Sequence, residues 1–171
     1  ELVFDETYYV KDGWTLVNLG YEADWTEVPV EGEDEPSGDV LFESGRTDAY
    51  DADDPSYIVH PPMGKLVIGL GMKLLGADDP VGWRIAVALL GVGTVLLTTR
   101  AATRLTRSTA LGAVAGLAVA IDGQGIVHSR VALLDGPLTF FLVAAFAALL
   151  VDRDRARERL ARRTAVADAA E

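Results

Sequence analysis

The sequence contains no cysteine, only two histidines, and very few basic residues in its first third. Without cysteine, neither a disulfide framework nor a thiolate metal site is available. Residues 1–57 hold 17 acidic side chains against two basic ones, Lys11 and Arg46, whereas the rest of the chain holds nine acids and 13 bases. The acidic first part argues against a nucleic-acid partner, and no glycine loop for nucleotide phosphates is present. The two parts of the chain therefore belong to different environments.

Charge is also scarce in three long stretches of the second part. Residues 81–99, 109–127 and 131–151 each carry one charged side chain. Each stretch is close to the roughly 20 apolar residues that cross a ~30 Å hydrocarbon core. Polar faces at helical spacing, which a soluble helix bundle would need, are missing from these stretches. The sequence predicts three transmembrane helices, with the soluble bundle as the weaker alternative, and GAVAG at 112–116 predicts close helix packing.

The arginines predict the orientation of these helices, because short cytoplasmic loops accumulate Lys and Arg. Three arginines lie in the link 100–108, and six more lie in the tail 152–171. Two spans separate the link from the tail, so both lie on the same face, which is predicted to be cytoplasmic. The first segment, 1–58, and the short turn 128–130 are then extracytoplasmic.

Residues 59–77 are predicted to form an amphipathic helix in the outer membrane interface, because Pro61 and Pro62 favour a helix start and the apolar run is too short to span. The acidic stretch 31–54 is predicted to be a loop. Its DADD cluster, 51–54, raises the alternative of a calcium site, but it lacks the spaced glycine and distal glutamate of a calcium-binding loop. Solvated surface is the favoured interpretation.

The rare charges in and next to the predicted spans converge on the outer surface. They are Arg84, Asp122, Arg130 and Asp135. A charge at the centre of a spanning helix costs about 2.5 to 3.5 kcal/mol on insertion scales, so such residues usually pair with each other or serve a site. The alternative is that the arginines extend to lipid headgroups while the aspartates lie in hydrated turns.

Several motifs occur together in one order along the chain. They are FDETYYVKDGW at 4–14, HPPMGK at 60–65, GWR at 82–84, SRVALLD at 129–135 and the basic DRDRAR at 152–157. In content, order and spacing they resemble the protein O-mannosyltransferase family, in its bacterial, polyprenyl-phosphate-mannose-dependent branch. The resemblance covers essentially the whole chain. It implies an all-α integral membrane fold, a fragment of a polytopic GT-C helix bundle with an extracytoplasmic first loop.

In that family an Asp-Glu pair on the first extracytoplasmic loop faces the lipid-linked donor and the acceptor hydroxyl. Here the pair is Asp5 and Glu6. The resemblance implies that Asp5 is the catalytic base, and that Glu6 orients it or binds acceptor or sugar. The alternative for Asp5 is that of a helix N-cap.

A polyprenyl phosphate leaving group needs a cation nearby, since negative charge grows on it as the glycosidic bond breaks. By resemblance the first candidate is Arg130, and Lys65 and His60 are the second candidates. Lys65 would lie near a helix N-terminus, which favours an anion. The alternatives are lipid-phosphate contact for Lys65, helix capping for His60 and membrane anchoring for Arg130. Supporting roles are expected for three further residues: Asp135, Arg84 and Asp122.

The reaction implied by the resemblance is inverting transfer of mannose from polyprenyl-phosphate-mannose to Ser or Thr hydroxyls of exported proteins. The enzyme is expected in the cell membrane as a multi-pass protein with its site on the extracytoplasmic side. No cofactor or metal is required by this chemistry, although a divalent metal stays open. The alternatives are a related GT-C enzyme with a glycolipid acceptor, and a non-catalytic membrane subunit.

The family carries a hydrophobic helix before the Asp-Glu motif and many spans after the basic tail. The sequence is therefore expected to be an N-terminal fragment of a longer enzyme. Because later helices complete the donor cavity in the family, the fragment alone is expected to be inactive.

Overall fold

A computed structural model describes residues 1–25 and 38–168 of the chain, and the described part is mostly helical. The predicted all-α class is therefore confirmed in its coarse form, with one small sheet added. The elements, in chain order, are α1 (Glu6–Leu19), β1 (Ala23–Trp25), α2 (Gly38–Glu43), β2 (Tyr50–Pro55), α3 (Pro62–Leu75), α4 (Pro80–Thr106), α5 (Thr109–Ala120), α6 (Gly123–Arg130) and α7 (Asp135–Asp168).

The first segment is more regular than the sequence analysis predicted. The stretch treated as a loop, 1–58, contains α1, α2 and a two-stranded antiparallel sheet of β1 and β2. The DADD cluster lies on β2, where its side chains are exposed. Residues 26–37, which include part of the predicted acidic loop 31–54, lie outside the described residues.

Helix α1 forms because one of its faces is apolar or small and can pack against α3. Val10 and Gly13 are buried on that face, one turn apart. A Cβ atom added to Gly13 would lie 2.6 Å from the carbonyl oxygen of Lys65, and one added to Gly69 would overlap the carbonyl oxygen of Gly13. The two backbones therefore cross at a contact that only glycine permits.

Helix α3 corresponds to the amphipathic helix predicted over 59–77, but much of its apolar face is covered by protein. Ile68 and Met72 are fully or almost fully buried in a core shared with Trp83 of α4 and Val10 of α1. Leu70 and Leu74 point outward and are exposed. The helix thus packs between α1 and α4 and fixes the first segment to one end of the long helices.

Within residues 1–25 and 38–168, two helices are long and apolar enough to cross a membrane by length and composition. They are α4, with 27 residues, and α7, of which the 32 residues from Asp135 to Val166 qualify. Both are longer than predicted: α4 continues through most of the link 100–108, and α7 continues into the tail 152–171. The Ala- and Arg-rich sequence there consists largely of good helix formers, which explains the extension.

The second predicted span, 109–127, is not one continuous helix. Helices α5 and α6 meet at a bend of 62°, and together they count as a third span only if the bent pair is taken as one. Asp122 lies at the bend and accepts a hydrogen bond from the backbone N–H of Gly125 at 2.7 Å, which caps α6. Helix α6 also replaces the predicted turn 128–130.

The long helices pack in the arrangement expected of alternating spans. Gly112 and Gly116 of α5 lie against Thr103 and Thr99 of α4, so the two helices are antiparallel. This confirms the predicted packing role of GAVAG. Helix α7 runs parallel to α4, since a Cβ on Gly136 would lie 3.0 Å from the Val87 side chain at one end. At the other end, the arginine-rich parts of α4 and α7 lie together.

Candidate active site

The two adjacent acids of the first motif occupy different environments. Glu6 is completely buried at the start of α1. Its Oε1 accepts hydrogen bonds from Arg84 Nε at 2.8 Å and from the backbone N–H of Ala132 at 2.6 Å. Its Oε2 accepts from Arg84 Nη2 at 2.6 Å and from the backbone N–H of Val3 at 2.9 Å. Four donors therefore surround one carboxylate.

This carboxylate ties together three parts of the chain. It fixes the N-terminal turn of α1 to α4 through Arg84, and to the segment between α6 and α7 through Ala132. The geometry therefore favours a structural role for Glu6 over the predicted contact with sugar or acceptor. Arg84 was predicted as a supporting residue. Its guanidinium donates hydrogen bonds to Glu6 and, at 3.0 Å, to the carbonyl oxygen of Glu1.

Substitution Glu6→Gln is expected to loosen the first segment. Each carboxylate oxygen accepts from two donors, so an amide NH₂ group would face two donors in either orientation, and Arg84 would lose its charge partner. Breaking a buried ion pair in this way costs about 3 to 5 kcal/mol. Protease cleavage near α1 in the full-length protein should become much faster, while the exposed control Glu158→Gln should leave it unchanged. Equal cleavage rates for Glu6→Gln and wild type would contradict the structural role.

Asp5 precedes this buried acid and is only partly buried. It occupies the N-cap position of α1, but among the described residues its side chain makes no capping hydrogen bond. Its Oδ2 instead accepts a hydrogen bond from the Tyr9 hydroxyl at 3.3 Å. The structure thus leaves much of the Asp5 carboxylate available to a ligand. Its role as base stays a prediction.

Lys65, the second candidate for phosphate binding, lies in a buried cluster of charges. Its Nζ is 2.6 Å from Glu22 Oε2 and 3.0 Å from Asp12 Oδ2. The side chains of Lys65 and Glu22 are only 1% and 2% exposed. An ammonium group enclosed in this way by two carboxylates is poorly placed to reach a lipid phosphate, and it joins α1, α3 and the residue before β1.

Burial raises the pKa of Asp12 above its ordinary value of 3.8, and the charge of Glu22 adds to this, although Lys65 opposes it. Between pH 3.8 and the raised pKa the folded state binds more protons than the unfolded state. Stability contributed by Asp12 therefore increases as the pH falls through that window.

We expect the melting temperature of the wild-type full-length protein, relative to that of Asp12→Asn, to increase as the pH is lowered from 7 toward 4. The reason is that only the wild type takes up the proton at this position. Thermal melting in detergent at several pH values measures the difference. A difference in melting temperature that stays constant over that pH range would contradict a raised pKa for Asp12.

Two predicted site residues, Asp5 and His60, both contact Tyr9, a residue that the sequence analysis did not single out. The rings of Tyr9 and His60 pack edge to face with their centres 5.5 Å apart. Burial, followed by the charge of Asp5, raises the pKa of Tyr9 above 10.0, and the charge of Asp135 contributes to the same effect. The only sequence signal was the spacing of Asp5 and Tyr9, four residues apart on one helix face.

The remaining predicted residues lie around α6. Arg130 ends α6 and is exposed, and among the described residues it forms no ion pair. Asp135 begins α7, with its Oδ2 3.6 Å from His128 Nδ1. A cavity of about 760 Å³ opens between α4, α5, α6 and α7, and Asp122, His128 and Asp135 are among its polar lining residues. Asp5 is not part of that lining in the described structure.

Comparison with known proteins identifies the family of the chain. The sequence model of the family described as dolichyl-phosphate-mannose-protein mannosyltransferase matches residues 78–165, which include α4 to α6 and most of α7. The chain belongs to this family. This match confirms the predicted family membership. The family is one of glycosyltransferases.

Curated relatives extend the similarity to most of the chain. A protein from Mycobacterium tuberculosis is 52% identical over 161 residues, covering 92% of this chain and 25% of the relative. One from Mycolicibacterium smegmatis is 52% identical over 63% of this chain and 21% of the relative, and one from Corynebacterium glutamicum is 34% identical over 92% and 26%. All three are named polyprenol-phosphate-mannose--protein mannosyltransferase. No solved structure gives a significant match.

The chain spans about a quarter of the length of these relatives. The family's sequence model begins at residue 78, so Asp5 lies in the part of the chain that precedes that match.

Proposed function

We propose that the protein containing this chain transfers mannose from polyprenyl-phosphate-mannose to Ser or Thr hydroxyls of exported proteins, with inversion at the anomeric carbon. Family membership and the names of the relatives support a mannosyltransferase that uses a polyprenyl-phosphate donor and a protein acceptor. The geometry adds a partly exposed carboxylate, Asp5, next to a buried and fully paired one, Glu6.

The observation that carries the proposal is the hydrogen bond from the backbone N–H of Ala132 to Glu6. Glu6 follows Asp5 directly, and Ala132 lies two residues after Arg130. This bond therefore holds the segment carrying the proposed base against the segment carrying the proposed phosphate-binding cation. A base for the acceptor and a cation for the leaving group are the two groups that this reaction needs.

In the proposed reaction the acceptor hydroxyl oxygen attacks the anomeric carbon of mannose from the side opposite the phosphate. Asp5 takes the hydroxyl proton as the new C–O bond forms. The bond between the anomeric carbon and the phosphate oxygen breaks, and polyprenyl phosphate leaves with both electrons of that bond. One displacement inverts the configuration and needs no covalent enzyme intermediate, so one carboxylate acting as base is sufficient.

Arg130 is proposed to stabilise the phosphate as its charge grows, and His60 is the remaining second candidate beside it. Lys65 is a weaker candidate than the sequence suggested, because Glu22 and Asp12 already surround its ammonium group. Asp135 is proposed to help shape the site, since its charge acts on Tyr9. The mechanism requires no metal, and a divalent ion is left open.

The proposed site lies on the extracytoplasmic side of the cell membrane. Support comes from the parallel packing of α4 and α7, whose arginine-rich ends meet through Arg104 and Asp154 at 3.0 Å. Glu6, Arg84 and Ala132 lie at the opposite end of these helices. If the arginine-rich end faces the cytoplasm, the candidate site faces outward.

The proposal is tested with membranes that contain the full-length protein and labelled polyprenyl-phosphate-mannose. Label should appear in protein and be released by β-elimination, which cleaves sugars from Ser and Thr. Label found only in lipid would indicate that the acceptor is a glycolipid and not a protein. Absence of any transfer above membranes lacking the protein would instead favour a non-catalytic membrane subunit.

A further inference from the structure

Tyr9 contacts two of the residues assigned to the site, although neither the reaction nor the sequence motif gives it a role. It lies on α1, one turn after Asp5, and its hydroxyl donates a hydrogen bond to Asp5 Oδ2 at 3.3 Å. Its ring packs edge to face on His60, which precedes the first turn of α3. Tyr9 thus connects the carboxylate at the start of α1 to the residue before α3.

The ring of Tyr9 is held in place, so its hydroxyl has a defined position. It is partly buried and packs against the hydrophobic core, whereas the neighbouring Tyr8 is 63% exposed. An ordinary phenol already keeps its proton at neutral pH. Burial and the charge of Asp5 raise the pKa of Tyr9 further, so its hydroxyl remains a donor.

We propose that Tyr9 is a positioning residue that orients the Asp5 carboxylate for proton abstraction from the acceptor. Its hydroxyl occupies one oxygen of Asp5 and leaves the other oxygen for the acceptor. A carboxylate held by one hydrogen bond keeps a narrower set of side-chain rotamers, and correct orientation of a base contributes directly to the rate. This proposal rests on the function proposed above, in which Asp5 is the base.

The test compares Tyr9→Phe with Tyr8→Phe in the full-length enzyme. Tyr9→Phe removes the hydroxyl but keeps the ring and its contact with His60, so a structural role of the ring is preserved. Tyr8→Phe removes a hydroxyl of the same kind from the preceding residue, and that hydroxyl has no hydrogen-bond partner among the described residues. We expect Tyr9→Phe to lower kcat by about three- to tenfold, with KM for polyprenyl-phosphate-mannose and the melting temperature unchanged.

Each outcome separates this proposal from the proposed function. If Asp5→Asn abolishes transfer and Tyr9→Phe has the kcat of Tyr8→Phe, Tyr9 has no positioning role while the function stands. A Tyr9→Phe enzyme with a raised KM, an unchanged kcat and a lowered melting temperature would show a packing or binding role and also overturn the proposal. If Asp5→Asn transfers mannose at the wild-type rate, the base assignment fails, and the positioning role fails with it.

Discussion

Mannose transfer by the full-length enzyme should fall by about 10² to 10⁴-fold when Asp5 is replaced by Asn, because the acceptor hydroxyl loses the group that takes its proton. Asn has nearly the same shape and can still accept a hydrogen bond from Tyr9, so packing at the start of α1 should be retained. The rate is measured with labelled polyprenyl-phosphate-mannose and a Ser- or Thr-containing acceptor peptide.

The control for this substitution is Asp48→Asn, which removes the charge from an exposed carboxylate elsewhere in the first segment. It should transfer mannose at the wild-type rate. Donor binding should also survive in Asp5→Asn, since the base contacts the acceptor proton and not the phosphate. Wild-type transfer by Asp5→Asn would show that another group acts as base, whereas loss of donor binding would indicate that Asp5 holds the sugar.

The sequence predicted the family and the general architecture, because both depend on local signals. Long apolar stretches mark helices wherever they occur, and the motifs from FDETYY to SRVALLD lie within short segments. The GAVAG prediction succeeded for the same reason, since Gly112 and Gly116 recur on one face of α5 and allow α4 to approach.

The bend between α5 and α6 could not be predicted from hydropathy alone. The stretch 109–127 has the length and composition of a span, and a hydropathy window averages over Asp122 and the glycines beside it. The capping bond from Gly125 to Asp122 nevertheless begins a new helix there. An Asp followed by two glycines at alternate positions was the local signal for this break, and the prediction of one span did not use it.

The roles of the charged residues depend on partners far away in the sequence. Glu6 and Arg84 are 78 residues apart, and Lys65 and Glu22 are 43 residues apart. A motif shows that a charge is present, but only the fold shows whether that charge is already paired. This explains why Asp5 and Glu6, adjacent in the chain, have different degrees of burial, and why Lys65 lies against two carboxylates where the motif had suggested a phosphate.

Substitution Lys65→Met should make local opening of α1 and α3 much more frequent. Met fills a similar volume but leaves Glu22, with a 2% exposed side chain, and Asp12 without their cation. Leaving a buried charge uncompensated costs about 3 to 5 kcal/mol. Local opening of α1 and α3 should therefore become about 10² to 5 × 10³-fold more frequent, at about 1.36 kcal/mol per factor of ten. Limited proteolysis of the full-length protein in membranes measures this when reclosing is fast.

The matched control is Lys73→Met on the same helix. Lys73 is exposed and, within the described part of the chain, donates only to the carbonyl oxygen of Val17, at 3.2 Å. It should leave cleavage near the wild-type rate. The triple variant Lys65→Met, Glu22→Gln, Asp12→Asn should be cleaved more slowly than Lys65→Met alone, since no buried carboxylate then lacks a partner. Unchanged cleavage in Lys65→Met together with a raised KM for polyprenyl-phosphate-mannose would instead mean that Lys65 leaves its carboxylates and binds the donor phosphate.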